Sequence, residues 1–142
     1  MRKSIMTLAI FELLVLSVPV FAHFSGPWAG TGTGSIPTSY GFPLDPWRDW
    51  SGTISVDHST FEGTWTDVTW VPGATSGTFK GSMVVLGPDV AVYKGYWYWE
   101  KKPGQKMGDF KMTFYWSNGV CYGEWHSFIP AGFSGAMTGD RW

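Results

Sequence analysis

A chain of 142 residues with a formal net charge of −1 has no electrostatic reason to bind nucleic acid or an anionic membrane surface. Aromatic residues make up 18% of it, and its single cysteine excludes an internal disulfide, so stability must come from packing. Beyond residue 22 the only leucines are Leu44 and Leu86, good helix formers are scarce, and aromatic, Thr and Val residues abound, which points to an all-β chain.

The first segment reads as an export address. Arg2 and Lys3 precede an apolar run that closes on LSVPVFA, and Val20 and Ala22 put small residues where a signal peptidase reads. Residues 1–22 are therefore expected to be a cleaved signal peptide, and 23–142 a single domain, secreted or periplasmic/extracellular. The apolar run holds Glu12 and is shorter than the roughly 20 residues of a membrane helix, so no membrane span is expected after cleavage. Cleavage would remove two basic residues and one acidic residue, shifting the net charge from −1 to −2.

Period-2 alternation then predicts eight strands, near 26–34, 50–56, 61–67, 77–85, 90–100, 107–117, 120–128 and 132–140. GTGTGS at 30–35 closes the first of them; no helix follows, so it is not a phosphate loop. Residues 35–49 hold Pro37, Pro43 and Pro46 without alternation and form one long loop, while 68–76 form another. Across DHST at 57–60, the expected register sets Gly52 against Trp65 and Ile54 against Gly63. A turn centred on Pro103-Gly104 sets Trp97 against Phe110 and Gly95 against Met112. Asn118-Gly119 is the strongest hairpin signal, because both residues accept positive φ. A two-residue loop there sets Phe114 against Gly123, Met112 against Trp125, Tyr115 against Tyr122 and Lys111 against His126. The longer loops allow Phe79 to face Gly63 and Trp125 to face Gly135.

Glycine recurs in phase with aromatic residues, as FEGTW at 61–65, FKG at 79–81, YKG at 93–95 and FSG at 133–135. A ring can cover the backbone that glycine leaves bare, and glycine leaves room for the ring. Small barrels fill their interiors with such large and small alternation. The expected architecture is an eight-stranded antiparallel up-and-down meander closing into a small barrel, with a two-sheet sandwich as the alternative. The opposite face carries Thr, Ser, Lys and Glu, which argues against an outer-membrane barrel despite the terminal Trp142. WSGTISV followed by FEGTW resembles the opening hairpin of the avidin family of biotin-binding barrels. Only one Asn and one Gln follow residue 22, too few for an avidin-like polar cage, so no biotin binding is expected.

Motifs for catalysis are sparse. Glu62, Glu100 and Glu124 fall on the outer face, His23, His58 and His126 lack metal-ligand spacing, and no serine sits in a nucleophile elbow. Neither cofactor nor metal is expected. The unusual feature is 90–100, VAVYKGYWYWE, which is aromatic on both faces. With Tyr93, Trp97 and Trp99 inward, Tyr96 and Tyr98 point out and join Tyr115, Tyr122, Lys111 and His126 as a candidate outer binding face, framed by Lys94 and Glu124. An alternative site is the barrel mouth, where Tyr40, Trp47 and Trp70 on the long loops form a lid or plug the end with their own side chains. The expected function is that of an exported, non-catalytic binding barrel, its partner a glycan, a small apolar ligand or an envelope protein, and homo-oligomers are possible. The competing readings are a structural or self-associating envelope protein and a small secreted enzyme.

Overall fold

Eight antiparallel strands follow one another around a closed up-and-down barrel in a computed structural model that describes residues 24–39, 41–67 and 76–142. They are β1 (Gly26–Gly32), β2 (Asp49–Ile54), β3 (Thr60–Thr66), β4 (Ser76–Leu86), β5 (Val90–Trp99), β6 (Gly108–Tyr115), β7 (Val120–Phe128) and β8 (Ala131–Arg141). Each pairs with its chain neighbours, and β1 closes on β8 from Trp28↔Arg141 to Gly32↔Met137. All eight predicted strands are present with ends displaced by at most two residues, and they close as a barrel, not as two sheets. The proposed signal peptide and two mouth residues, Tyr40 and Trp70, lie outside the described residues.

Alternation assigns the faces. On β5, Tyr93 and Trp97 are fully buried while Lys94 and Tyr96 are exposed; on β7, Cys121 and Trp125 are buried while Tyr122, Glu124 and His126 are exposed. The interior is filled by rings. Phe61 packs edge-on against Phe114 at 4.9 Å, and Trp28 meets the same Phe114 at 4.8 Å. From the long loop, Trp47 turns back into the barrel and stacks on Phe79 at 4.6 Å. Its backbone takes a left-handed φ of 65° to do so. That loop is braced by the bridge Ile36↔Leu44 and by Asp45 N–H donating to Asp67 Oδ2 at 2.8 Å.

Three registers differ from the sequence expectation, each by two residues. Gly52 faces Gly63 and Ile54 faces Phe61; Gly95 faces Phe110 and Trp97 faces Gly108; Phe114 faces Cys121 and Met112 faces Gly123. Lys111 lies opposite Glu124, His126 opposite Asp109, Tyr115 opposite Val120 and Tyr122 opposite Thr113. The reason is that competing hydrogen bonds widen each turn, from a neighbouring turn at 116–119 and from within the turn at the other two. At 116–119, Trp116 N–H donates to Asp89 O at 2.9 Å and Ser117 N–H to Asp89 Oδ1 at 2.8 Å, so the neighbouring turn captures donors a two-residue hairpin would have used. Near residue 57, Asp57 Oδ1 accepts from Ser55 Oγ at 2.6 Å and from Ser59 N–H at 3.0 Å. Those bonds, led by Ser55, hold the Asp57 carboxyl at about 2. After β5, Lys102 N–H bonds Trp99 O and Gln105 N–H bonds Lys102 O, two successive turns in place of one. The longer-loop registers stand as expected: Gly63 faces Phe79 and Gly135 faces Trp125.

The glycine–aromatic pattern has a repeating physical form. Trp65, Trp97 and Trp125 sit opposite Gly77, Gly108 and Gly135 on the next strand. Each indole crosses its glycine and donates Nε1–H to a carbonyl one strand further on. The acceptors are Tyr98 O at 3.1 Å, His126 O at 3.2 Å and Thr33 O, just past β1, at 2.9 Å. A Cβ on any of the three glycines would lie within 1.9 Å of that same carbonyl oxygen and within 2.5 Å of the indole. Glycine is thus a steric requirement, and the bonded indole N–H avoids the cost of burying an unpaired donor. The three indoles also meet edge-to-face, at 5.7 and 5.9 Å.

Candidate functional site

The outer surface of β5, β6 and β7 follows from the registers. Tyr96, Asp109 and His126 form one row of side chains across the sheet; Lys94, Lys111 and Glu124 form the next. Two rows beyond Lys111, Tyr115 lies on β6, with Tyr122 of β7 beside it. Between the first two rows runs the backbone of Gly95 and Phe110, both facing the interior; a Cβ on Gly95 would lie 2.0 Å from Lys80 O and 2.4 Å from the Cα of Gly81, its cross-strand partner. A concavity of about 380 Å³ opens there, lined by Tyr96, Lys94, Lys111, Asp109, Glu124 and His126 over the backbone of Gly95 and Phe110.

Within it, His126 Nδ1 and Asp109 Oδ1 are 3.0 Å apart, with both side chains about half exposed. Tyr96 is 39% exposed; Lys106 Nζ stands 3.8 Å from its ring centroid, and Phe128 packs at 6.3 Å. Lys94, Lys111 and Glu124 enter no ion pair among the described residues. The arrangement offers an aromatic ring, donors of positive charge and carboxylate acceptors around one shallow basin, the mixture that orients a polyhydroxylated ligand.

Of the residues the sequence singled out, Tyr96, Lys111 and His126 meet in this concavity. Tyr115 and Tyr122 form a separate pair, 6.2 Å apart, and the 53% exposed Tyr122 borders a second depression with Thr138 and Asp140. Tyr98 is half-buried, opposite Thr78. At the barrel mouth, Trp47 is fully buried in the interior, so the loop plugs the barrel with its own side chain and Trp47 presents no surface for a ligand. Sequence reasoning missed Asp109, Lys106 and Phe128. Asp109 stands two residues before Lys111 and so shares its face, but the two-residue register error set His126 against Lys111 and hid its true partner.

Cys121 is buried, and burial, with a smaller contribution from Asp140, pushes its thiol up to about 12, so it supplies no thiolate at neutral pH. Among the described residues no group of three or more His, Cys, Asp or Glu side chains could hold a metal ion. Comparison with protein-family models and with characterised proteins finds no match to this chain.

Proposed function

We propose that the chain is an exported, non-catalytic binding barrel that takes a saccharide on the outer face of β5–β7. The observation that carries this reading is the concavity at Gly95, where an exposed tyrosine, two lysines, two carboxylates and a histidine surround one basin. Sugar rings present C–H faces to an aromatic ring and hydroxyls to charged acceptors and donors. A small apolar ligand inside the barrel is a poorer reading, because rings, Trp47 included, occupy the interior. The test is retention of the purified protein on insoluble polysaccharides such as cellulose, chitin and cell-wall glycan. Tyr96→Ala is expected to cut retention about tenfold or more, as a hot-spot residue does, without moving the urea midpoint. Wild-type protein that passes every polysaccharide unretained would sink the proposal.

A second reading, self-association or docking to an envelope protein, has one observation in its favour. β4 runs past the start of β3, whose last contacts are Thr60↔Ser82 and the bond from Met83 N–H to Ser59 O at 3.0 Å, and the side chains of Met83, Val84 and Val85 are exposed there beside a bulge. Apolar side chains on a strand with one open edge invite another chain. Sedimentation velocity of the purified protein over a range of concentrations decides it: a monomer throughout removes the self-associating form.

A further inference from the structure

We infer that the saccharide taken at this concavity carries an anionic substituent, a carboxylate or a sulfate ester, held between Lys94 and Lys111; the inference rests on the saccharide reading above. Lys94 and Lys111 are direct cross-strand partners on the outer face, and both line the basin. Like charges placed directly opposite one another destabilise a sheet. Lys94 faces Ser82 on its other side, and although Glu124 stands opposite Lys111 and offsets part of the repulsion, neither lysine enters an ion pair among the described residues. An anionic group seated between two ammonium groups removes their repulsion and gains a charge-assisted hydrogen bond to each. Lys106 Nζ, over the Tyr96 ring, adds a third cation at the same rim.

Tyr96 lies two residues from Lys94 on β5 and faces the same way, about 7 Å along the strand, a distance one sugar unit bridges. The side of the ring not covered by Lys106 would take the pyranose while the lysine pair takes its acidic substituent. Asp109 and Glu124, in the same basin, accept hydroxyl protons and repel a polyphosphate backbone. With a whole-chain charge of −1, there is no electrostatic case for a polyphosphate chain, and a ligand rich in hydroxyls with isolated negative groups fits the basin better.

The experiment compares retention of the purified protein on immobilised polygalacturonate, dextran sulfate and neutral dextran, at low and high salt. At least one acidic polymer is expected to be retained tenfold or more above dextran, and which one responds separates carboxylate from sulfate ester. The double variant Lys94→Gln/Lys111→Gln should lose about tenfold of that retention along with most of its salt dependence. Tyr96→Ala should weaken it as well. The control Lys101→Gln/Lys102→Gln, which removes the same charge outside the basin, should leave it unchanged. If that control loses as much as Lys94→Gln/Lys111→Gln, diffuse surface charge explains the retention and the inference falls. Equal retention of neutral and acidic polymers, sensitive to Tyr96→Ala, overturns the anionic assignment while the saccharide reading stands. No retention by any polymer, here or on the insoluble glycans, overturns both.

Discussion

Tyr93 and Tyr96 stand three residues apart on β5 and live in different media. Tyr93 is fully buried, its hydroxyl donating to His58 O at 2.8 Å, and burial, with the Asp57 charge a lesser contributor, pushes its phenol up to about 12. Tyr96 is partly solvated, with a lysine ammonium over its ring and a tilted phenylalanine ring beside it. The same contrast runs around the barrel: inner aromatics have one fixed place, against a glycine or another ring, whereas outer aromatics are flanked by charges and shape a basin. An inner ring is therefore needed for the barrel to close, and an outer ring is free to serve a ligand.

The sharpest way to break the inner face is to fill a glycine that an indole crosses. Gly135→Val would place a Cβ 1.7 Å from Thr33 O and 2.5 Å from Trp125 Nε1. A loss of about 3 kcal/mol or more is expected in urea unfolding, overpacking added to a broken buried hydrogen bond. Gly104→Ala, with nothing within 4 Å of the new methyl, should stay within about 0.5 kcal/mol and serves as the reference. A Gly135→Val protein as stable as that reference would refute the close approach.

Next in size is Trp97→Phe, which keeps an inner ring but removes the Nε1–H that bonds His126 O. The expected cost is about 2–3 kcal/mol, from lost packing and an unsatisfied carbonyl. A value near zero would reduce the crossing indoles to simple space-filling.

Alkaline unfolding separates inner from outer phenols. Tyr93 rises from 10.0 to about 12 on folding and Cys121 from 9.0 to about 12, so between those values the folded state holds protons that the unfolded state has released. Stability is therefore complete below about 9 and falls as pH climbs towards 12. Tyr93→Phe and Cys121→Ala should each flatten that decline, read from urea midpoints across the range. An unchanged slope in both variants would show that neither group is desolvated.

The smallest effects belong outside. Tyr96→Ala and Tyr122→Ala are expected to keep stability within about 1 kcal/mol of wild type, since both rings are substantially exposed already. Losses of about 3–5 kcal/mol, as for core aromatics, would place these rings inside the fold and remove the basis for a binding face.

Face and strand identity were legible in the sequence because a pleated strand has period two. A turn centred one residue away displaces every cross-strand partner by two, so all three register errors left each side chain on its correct face. That is why Tyr96, Lys111 and His126 were recognisable as outer residues, and why the interior of tryptophan and phenylalanine was foreseen. Partnership across a turn was not legible, because competing hydrogen bonds decide it, inside the turn near Asp57 and after Trp99 and from Asp89 at the third. Asn118-Gly119 reads locally as a two-residue loop, and the arrival of Asp89 from the β4–β5 turn makes it wider.

The sequence by itself therefore determined eight strands, a meander, an aromatic interior and a polar exterior, all of which depend on alternation and local turn chemistry. Tertiary structure alone decided between the expected barrel and its sandwich alternative, that Trp47 fills the barrel rather than guarding its mouth, and that Lys111, Asp109, Glu124 and His126 gather beside Lys94 and Tyr96. Each of these joins residues of different strands or loops, and contact between them, not pattern within one strand, sets their geometry.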